Sequence, residues 1–231
     1  MKRGKRYELL VKTFEHKRKY DIREAVELVK KNATAKFDES FEISMNLGVD
    51  PRKADQMVRG TVSLPHGTGK DVRVLVFCKT PKDKEALDAG ADYAGLEEYV
   101  EKVQAGWTDV DVVIATPDVM GIVGKLGRIL GPRGLMPNPK VGTVTFDIEK
   151  TVQEMKSGKI EYRVDKTGNM HSGVGKCSFT TDQLVDNVSK FYTSIVKAKP
   201  QTAKGKYVKK VVLTSTMGPG IVIDESTIKM D

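Results

Sequence analysis

Apolar, strand-like runs alternate with short helical patterns through the middle of this 231-residue chain. The strand-like runs are VRVLVF (72–77), ADYAG (91–95), DVDVVIA (109–115) and TVTF (143–146). The segments between and after them are helical in pattern, namely PKDKEALDAG, LEEYVEKVQAG, the glycine-interrupted PDVMGIVGKLGRIL and IEKTVQEMKSG. Strands separated by helices of about ten residues favour right-handed βαβ crossovers and a parallel sheet. We therefore predict a Rossmann-like βαβ domain over residues 67–159.

The two ends of the chain carry a different pattern. Apolar and polar residues alternate, as in half-buried strands, in FEISMNLGV (41–49) and IEYRVD (160–165). Further strands are predicted in YVKKVVLTS and GIVID, and helices in DIREAVELVKK and TDQLVDNVSKFYTSIVKAK. Neither end alone has enough strands to close a sheet. We predict an α/β protein of two domains: a discontinuous α+β two-layer sandwich formed by residues 1–66 and 160–231, with the βαβ domain inserted in it.

The excess positive charge lies outside the middle of the chain. Residues 67–159 hold 13 Lys and Arg against 14 Asp and Glu, a net charge of −1. The remaining residues hold 26 against 17, a net charge of +9. This segregation favours a polyanionic partner, such as nucleic acid, bound mainly by the ends of the chain. A well-solvated surface is the alternative explanation.

Motifs for catalysis and nucleotide binding do not occur in their required spacing. HGTGK (66–70) lacks the first glycine of a P-loop, and Asp71 replaces the hydroxyl residue that would hold Mg²⁺. GIVGKLG (121–127) fits neither the P-loop nor the dinucleotide pattern. Histidines and cysteines form no catalytic or metal-ligand spacing. We predict no catalytic residue, no cofactor and no metal, and we keep a nucleotide-dependent enzyme as the rival class.

Two stretches near the chain ends offer groups suited to RNA. AKFDES (35–40) places Lys36 and Phe37 in a connector, where Phe37 is either a core residue or a stacking platform beside a phosphate-binding lysine. RVDKTGNMHSGVGK (163–176) is either a plain hairpin turn or a set of donors for phosphates and 2′-hydroxyls. Its donors are Lys166, Asn169, His171, Ser172 and Lys176, with backbone N–H groups freed by Gly168 and Gly173.

The stretch TSTMGPG (214–220) predicts a rigid turn that a ligand can approach closely. Gly218 and Gly220 bracket Pro219, which fixes the backbone while the glycines leave room beside it. A methionine exposed in such a turn is costly unless its thioether packs on a partner, such as a base or a sugar. We expect Thr216, Met217 and Gly218 to lie against folded RNA.

The stretch GRILGPRGLMPNPK (127–140) holds three glycines, three prolines and no acid. Its cations, Arg128, Arg133 and Lys140, form a local basic cluster in a domain without excess positive charge. The prolines restrict the conformation and the glycines permit close approach. The stretch is therefore a preshaped surface, and two interpretations stay open: it faces a cleft between the domains, or it contacts a partner.

Four composite motifs, in this order along the chain, resemble one family. They are NLGVDPRKADQMVRGTVSLPHGTGK (46–70), GRILGPRGLMPNPKVGTV (127–144), GKIEYRVDKTGNMHSGVGK (158–176) and TSTMGPGI (214–221). The sequence is similar over nearly its whole length to the bacterial type of the large-subunit ribosomal protein L1 (uL1) family. The resemblance implies a domain built from both chain ends, with a second domain inserted in it.

The resemblance also implies the partners. These are 23S rRNA at the mobile stalk of the large subunit, deacylated exit-site tRNA whose release is assisted, and the messenger of the protein's own operon, whose translation is repressed. It implies a non-enzymatic monomer within the cytoplasmic ribosome. Together with AKFDES (35–40), which also resembles the family, the motifs imply RNA-binding roles for Lys36, Phe37, Lys166, Thr216, Met217 and Gly218, and we add Gly168, Asn169 and Pro219 to the predicted RNA-binding residues. For the loop with Arg128, Arg133 and Lys140, the resemblance makes exit-site tRNA the partner in the second interpretation. A stand-alone messenger-binding regulator is the alternative, and it differs only in the RNA bound in cells.

Localisation follows from what the sequence does not contain. No apolar run approaches the length of about 20 residues that spans a bilayer. The basic N-terminal stretch has no apolar signal-peptide core. We therefore expect a cytoplasmic protein with no membrane partner.

Overall fold

The structure is a computed structural model that describes residues 4–15 and 18–228. Its contacts divide the chain into two compact units, of which unit 1 comprises Met1–Lys70 with Ile160–Asp231 and unit 2 comprises Asp71–Lys159. The described strands are β1 (Ser40–Leu47), β2 (Arg59–Ser63), β3 (Val74–Phe77), β4 (Tyr93–Gly95), β5 (Val112–Ala115), β6 (Lys159–Arg163), β7 (Asn169–Lys176), β8 (Val208–Ser215) and β9 (Ile221–Ile223). The described α-helices are α1 (Lys5–Val11), α2 (Ile22–Asn32), α3 (Lys82–Asp88), α4 (Glu97–Gln104), α5 (Met120–Val123), α6 (Gly127–Leu130), α7 (Ile148–Lys156) and α8 (Thr181–Lys197).

Unit 1 is built on a four-stranded antiparallel sheet in the order β7-β1-β8-β9. The predicted alternation along β1 is confirmed, because its apolar residues Phe41, Ile43, Met45 and Leu47 are buried. Helices α2 and α8 bury their apolar stripes in the same core as these side chains. Helix α8 begins with a capping box in which Thr180 and Gln183 each bond the other's backbone N–H. The intervening residues of β1 therefore lie on the face of the sheet that points away from this core.

A second, two-stranded sheet in unit 1 pairs β2 with β6. The IEYRVD run is therefore a strand, but its partner is β2, which the sequence analysis did not predict. Tyr162 of β6 packs edge-on against Phe191 of α8, with ring centroids 5.9 Å apart. Residues 163–176 do not form a hairpin, because β6 pairs with β2 while β7 pairs with β1. The hairpin interpretation of this stretch is wrong.

Unit 2 contains a parallel sheet in the order β4-β3-β5, as the βαβ pattern predicted. Successive residues of β3 face opposite sides of the sheet. Leu75 and Phe77 share a core with Val103 of α4 and with residues of the broken helix over 117–130. Val74 and Val76 share a second core with residues of α3 and α7. Helices therefore cover both faces, which gives the doubly wound arrangement.

The predicted strand TVTF is reduced to a single bridge between Ala115 and Val144. Ala115 donates its N–H to the carbonyl of Thr143 at 3.0 Å and accepts from the N–H of Thr145 at 3.2 Å. Helix α7 begins at Ile148, three residues after Thr145, so the chain leaves the sheet before a ladder can extend. The prediction of a four-residue strand was therefore wrong in length. The apolar–polar pattern of so short a run does not indicate how soon the next helix begins.

Asn187 of α8 fixes the segment that leads out of unit 1 toward residue 70. Its side chain is fully buried and donates to the carbonyls of Gly67 at 3.0 Å and Val174 at 2.8 Å. It also accepts from the N–H of His66 at 3.2 Å. One amide therefore satisfies three backbone groups.

We expect Asn187→Leu to lower the free energy of unfolding by about 1–3 kcal/mol, because it leaves buried carbonyls without donors. Urea denaturation measures the change. Lys190→Ala, on an exposed position of the same helix, is the matched control and should stay within about 0.5 kcal/mol of the wild type. Equal effects of the two substitutions would show that Asn187 is not a structural tie.

Candidate RNA interface

A buried carboxylate holds together one end of the unit 1 sheet. The side chain of Glu39 is 1% exposed and lies just before β1. One of its oxygens accepts from the N–H of Ala35 at 2.9 Å, and the other accepts from the N–H of Met217 at 2.9 Å. Arg6 of α1 lies 3.5 Å from the same carboxylate. Glu39 thereby joins α1, the connector before β1 and the turn after β8.

The ionised form of Glu39 is the stable one at neutral pH. Burial alone would raise the pKa of this carboxyl group, but hydrogen bonds from the backbone N–H groups of Met217 and Ala35, together with the charge of Arg6, lower it below its ordinary value. A carboxylate that accepts backbone N–H bonds in a buried site is held in one position. The segments that it contacts are therefore held in position as well.

The connector of residues 33–39 is pinned on both sides of Lys36 and Phe37. Before them, Ala35 donates to Glu39, and after them the Asp38 carboxylate accepts from the N–H of Ser178 at 3.2 Å and from its hydroxyl at 2.8 Å. Lys36 and Phe37 lie between these ties and project outward, and Phe37 is 56% exposed. The core alternative for Phe37 is therefore wrong.

The turn of residues 214–220 lies beside this connector. Thr216 extends the pairing of β8 with β1: it donates its N–H to the carbonyl of Ser40 at 3.1 Å, and its hydroxyl accepts from the N–H of Ser40 at 2.9 Å. Met217 uses its N–H for Glu39, and its side chain is 51% exposed. A side chain at Gly218 would place its Cβ 2.4 Å from Ser215 Oγ, so the Ser215 side chain would have to move to admit one.

Pro219 is buried, so it shapes the turn and does not line the accessible surface. The Thr216 hydroxyl is likewise engaged by the protein backbone. Of the four residues predicted to contact RNA here, Met217 is therefore the one whose side chain is both exposed and free of a structural hydrogen bond.

A polar sheet face extends from this end of unit 1. On β1 it presents Ser40, Glu42, Ser44 and Asn46, which alternate with the buried residues. Their cross-strand neighbours are His171 and Asn169 on β7 and Lys210, Val212 and Thr214 on β8. Ser44 Oγ lies 2.9 Å from His171 Nδ1, and Asn46 donates to Asn169 at 2.7 Å. We call this surface the open face.

Lys166, Gly168 and Asn169 lie at the opposite end of the open face from Met217. Asn169 pairs with Asn46, whereas Thr216 bonds to Ser40, six residues earlier on β1. At about 3.4 Å per residue, roughly 20 Å separates the two ends. The predicted RNA-binding residues of unit 1 therefore form two groups, joined by the open face.

The turn before Asn169 is rigid in its own right. The carboxylate of Asp165 accepts from the N–H groups of Thr167 and Asn169, each at 2.8 Å, and the Thr167 hydroxyl lowers the pKa of Asp165. Gly168 has φ +82° and accepts from the N–H of Leu47 at 2.9 Å. Because Gly168 is buried, its role is to form the turn, which leaves Lys166 exposed.

The basic loop of residues 127–140 belongs to unit 2, whereas both groups belong to unit 1. Leu130 is buried, and the N–H of Leu135 donates to its carbonyl at 3.0 Å. Asn138 donates its N–H to Thr143 Oγ1 at 2.8 Å. Between and beside these anchors Arg128, Arg133 and Lys140 are all exposed. The loop thus has a fixed backbone with three outward cations.

Sequence reasoning missed Glu39 and the open face. Glu39 sits in a polar stretch where an acid is usually solvated, and two of its partners, Arg6 and Met217, are far away in the sequence, so no local pattern indicates its burial. The alternation in β1 did indicate a polar face, but not which strands lie beside it. Among residues 4–15 and 18–228, no cluster of His, Cys, Asp and Glu is arranged to hold a metal ion.

The sequence model of the ribosomal protein L1p/L10e family matches residues 29–219. This match covers most of the chain, including the connector, the open face, the basic loop and the turn at Met217. The chain belongs to this family. The match confirms, at the level of the family, the resemblance that the four composite motifs indicate.

Family membership makes this L1-family chain a structural, ribosomal RNA-binding protein of translation. It places the chain in the large ribosomal subunit, in the cytoplasm. Ribosomal proteins of this kind are typically non-enzymatic. In the part of the chain that the structure describes, no helix has the length and apolar character to cross a membrane.

We expect Glu39→Gln to lower the free energy of unfolding at pH 7 by about 1–3 kcal/mol, because the amide has one oxygen acceptor and its NH2 group would face the second N–H group. The folded pKa of Glu39 lies below the ordinary value of 4.5, so its stabilisation is present above that value and is lost as pH falls through the folded pKa. The difference between wild type and variant should therefore shrink in urea denaturation below about pH 4.5.

Glu42→Gln is the matched control, since it removes the same charge from the open face of the same strand. It should be close to neutral for stability. A Glu39→Gln protein as stable as the wild type at pH 7 would contradict the structural role of this carboxylate.

Proposed function

We propose that this L1-family protein is of the bacterial type and binds the mobile stalk of 23S rRNA through unit 1. The connector with Lys36 and Phe37, the turn with Met217 and the open face together form the RNA-binding surface. The observation that carries the proposal is the buried Glu39 carboxylate, which bonds the connector and the turn at 2.9 Å each. The carboxylate thereby holds the two segments that carry the exposed apolar side chains of Phe37 and Met217, and exposed apolar groups on fixed segments are typical of binding surfaces.

The chemistry of the surface suits folded RNA. Phe37 offers a ring for base stacking and Lys36 a cation for the adjoining phosphate. Ser44, Asn46 and Thr214 on the open face offer short polar groups to 2′-hydroxyls, which line the wide, shallow minor groove of A-form RNA. An open face roughly 20 Å long, by strand geometry, matches several nucleotides rather than a single base. Recognition is therefore of shape and backbone.

Two further roles extend the proposal. Unit 2 is nearly neutral, so its cations in the loop of residues 127–140 act locally, and we assign Arg128, Arg133 and Lys140 to contact with exit-site tRNA, whose release the protein assists. The surface of unit 1 also binds the messenger of its own operon where that messenger imitates the stalk RNA, which represses translation. In this proposal units 1 and 2 are the two domains, and the protein is a monomer in the ribosome.

Met217→Ala should weaken binding to a folded stalk RNA by about 1–3 kcal/mol, the range for the loss of one specific contact. Phe37→Ala should do the same through the loss of stacking. Filter binding at fixed salt measures both. Met217 is a sharper test than Thr216, whose hydroxyl bonds the Ser40 backbone and whose replacement would also change the fold.

Two substitutions provide controls of the same chemistry. Met57 is 41% exposed in unit 1 and Phe146 is 61% exposed in unit 2, and neither lies in the proposed surface. Met57→Ala and Phe146→Ala should leave affinity unchanged. If all four variants bind like the wild type, the proposed surface is wrong.

Arg128→Glu combined with Arg133→Glu should slow the release of deacylated tRNA from ribosomes several-fold, because each change replaces attraction to phosphate by repulsion. Binding to isolated stalk RNA should be unaltered, which separates this loop from the unit 1 surface. Release is measured by stopped-flow fluorescence of labelled tRNA on ribosomes reconstituted with the variant. Unchanged release would remove the loop from the tRNA contact.

A further inference from the structure

The segment that joins α8 to β8 carries a strong positive charge, of which only Lys210 lies in the proposed RNA-binding surface. Residues 197–210, KAKPQTAKGKYVKK, contain six lysines and no acid. We call this segment the lysine loop. Lys199, Lys204, Lys209 and Lys210 are exposed, and none of the four has an ion-pair partner among residues 4–15 and 18–228. Within the loop, Lys206 pairs with an acid, Glu225.

Contacts with the rest of unit 1 fix the backbone of the lysine loop, so its exposed lysines have fixed positions along the surface. Tyr207 is buried and its hydroxyl donates to the carbonyl of Ile195 at 3.1 Å. Gly48 donates its N–H to the carbonyl of Tyr207 at 2.6 Å. The contact at Gly48 is so close that a Cβ there would lie 2.2 Å from the carbonyl oxygen of Lys206. Ala203, in the middle of the loop, is buried as well.

A β-bulge increases the exposure of charge where the loop enters β8. Asn46 pairs with Lys210 and Leu47 with Val208, so Lys209 is an extra residue without a partner in the ladder. In a regular strand, Lys209 and Lys210 would point to opposite faces and one would meet the core. With the bulge, both are exposed.

Glu225 neutralises Lys206, but Lys199, Lys204, Lys209 and Lys210 have no ion-pair partner in the described part of the chain. The adjacent loop of residues 48–57 contacts the lysine loop through Gln56, which donates to the carbonyl of Thr202 at 3.4 Å. That loop carries two acids, Asp50 and Asp55, but also two cations, so its net charge is zero. The lysines therefore repel one another on a fixed scaffold, and a polyanion relieves the repulsion.

We infer that the lysine loop is a second RNA-binding surface, which takes the phosphate backbone of a duplex segment adjoining the RNA at the open face. The inference rests on the proposed RNA binding by unit 1. Lys210 lies opposite Asn46 on the open face, so the two surfaces are continuous, while the turn at Met217 lies roughly 20 Å from Lys210 along β8. This continuity favours RNA over an acidic protein. The loop supplies affinity without sequence information, because lysine contacts phosphates as a point charge.

The test is the salt dependence of binding for a triple variant, Lys199→Gln, Lys204→Gln and Lys209→Gln. Each lost phosphate contact should make the negative slope of log affinity against log salt shallower by about 0.9. At 0.1 M salt, the loss of one contact corresponds to a loss of affinity of up to about eightfold. The affinity is measured for a folded stalk RNA and for an unrelated duplex, and the slope should become shallower for both. The same three positions changed to Arg should keep the wild-type slope.

Lys84→Gln, Lys150→Gln and Lys190→Gln together form the control, since these exposed lysines remove the same net charge elsewhere. Their slopes should match the wild type. An unchanged slope in the lysine-loop variant would overturn the inference and leave an acidic protein as the partner. Wild-type protein that binds stalk RNA no better than the unrelated duplex would instead overturn the proposed function, whatever the lysine loop does.

Discussion

The structure of the end of unit 1 that carries Phe37 and Met217 depends on the Glu39 carboxylate. A buried charge is expensive unless it is fully bonded, and Glu39 meets this condition with two backbone N–H groups from segments 35 and 217, which are distant in the sequence. Those N–H groups belong to irregular segments and have no strand or helix partner of their own. The carboxylate and the two turns therefore stabilise one another, and removal of any one leaves the others unsatisfied.

This arrangement explains how two exposed apolar side chains can serve binding. Phe37 and Met217 lose little further backbone freedom when RNA binds, because their segments are already fixed in the free protein. The entropy cost of ordering them has been met during folding. The backbone of the Asp165–Asn169 turn at the far end of the open face is fixed by the same principle, with a carboxylate that accepts neighbouring N–H groups. Preorganisation at both ends favours recognition of a folded RNA of defined shape.

The sequence predicted what depends on local periodicity and failed where partners are distant. The parallel sheet, the alternation of β1 and the capping box at Thr180 all follow from patterns within a few residues. The pairing of β2 with β6, the shortening of TVTF to one bridge and the burial of Glu39 depend on contacts across much of the chain. For the same reason, the sequence assigned Lys166 and Met217 to one RNA-binding surface without indicating their separation. The two residues lie at opposite ends of β1, roughly 20 Å apart.

The two units differ in the way they present charge, and the difference follows from their folds. Unit 1 has a sheet covered by helices on one face, so its second face and the loops at both ends are free to carry polar and basic groups. Unit 2 has helices on both faces of a parallel sheet, which leaves only loops for binding. Three of its exposed cations, Arg128, Arg133 and Lys140, lie in one anchored loop, residues 127–140. In the proposed function, unit 1 therefore provides the extended RNA-binding surface and unit 2 provides a local contact.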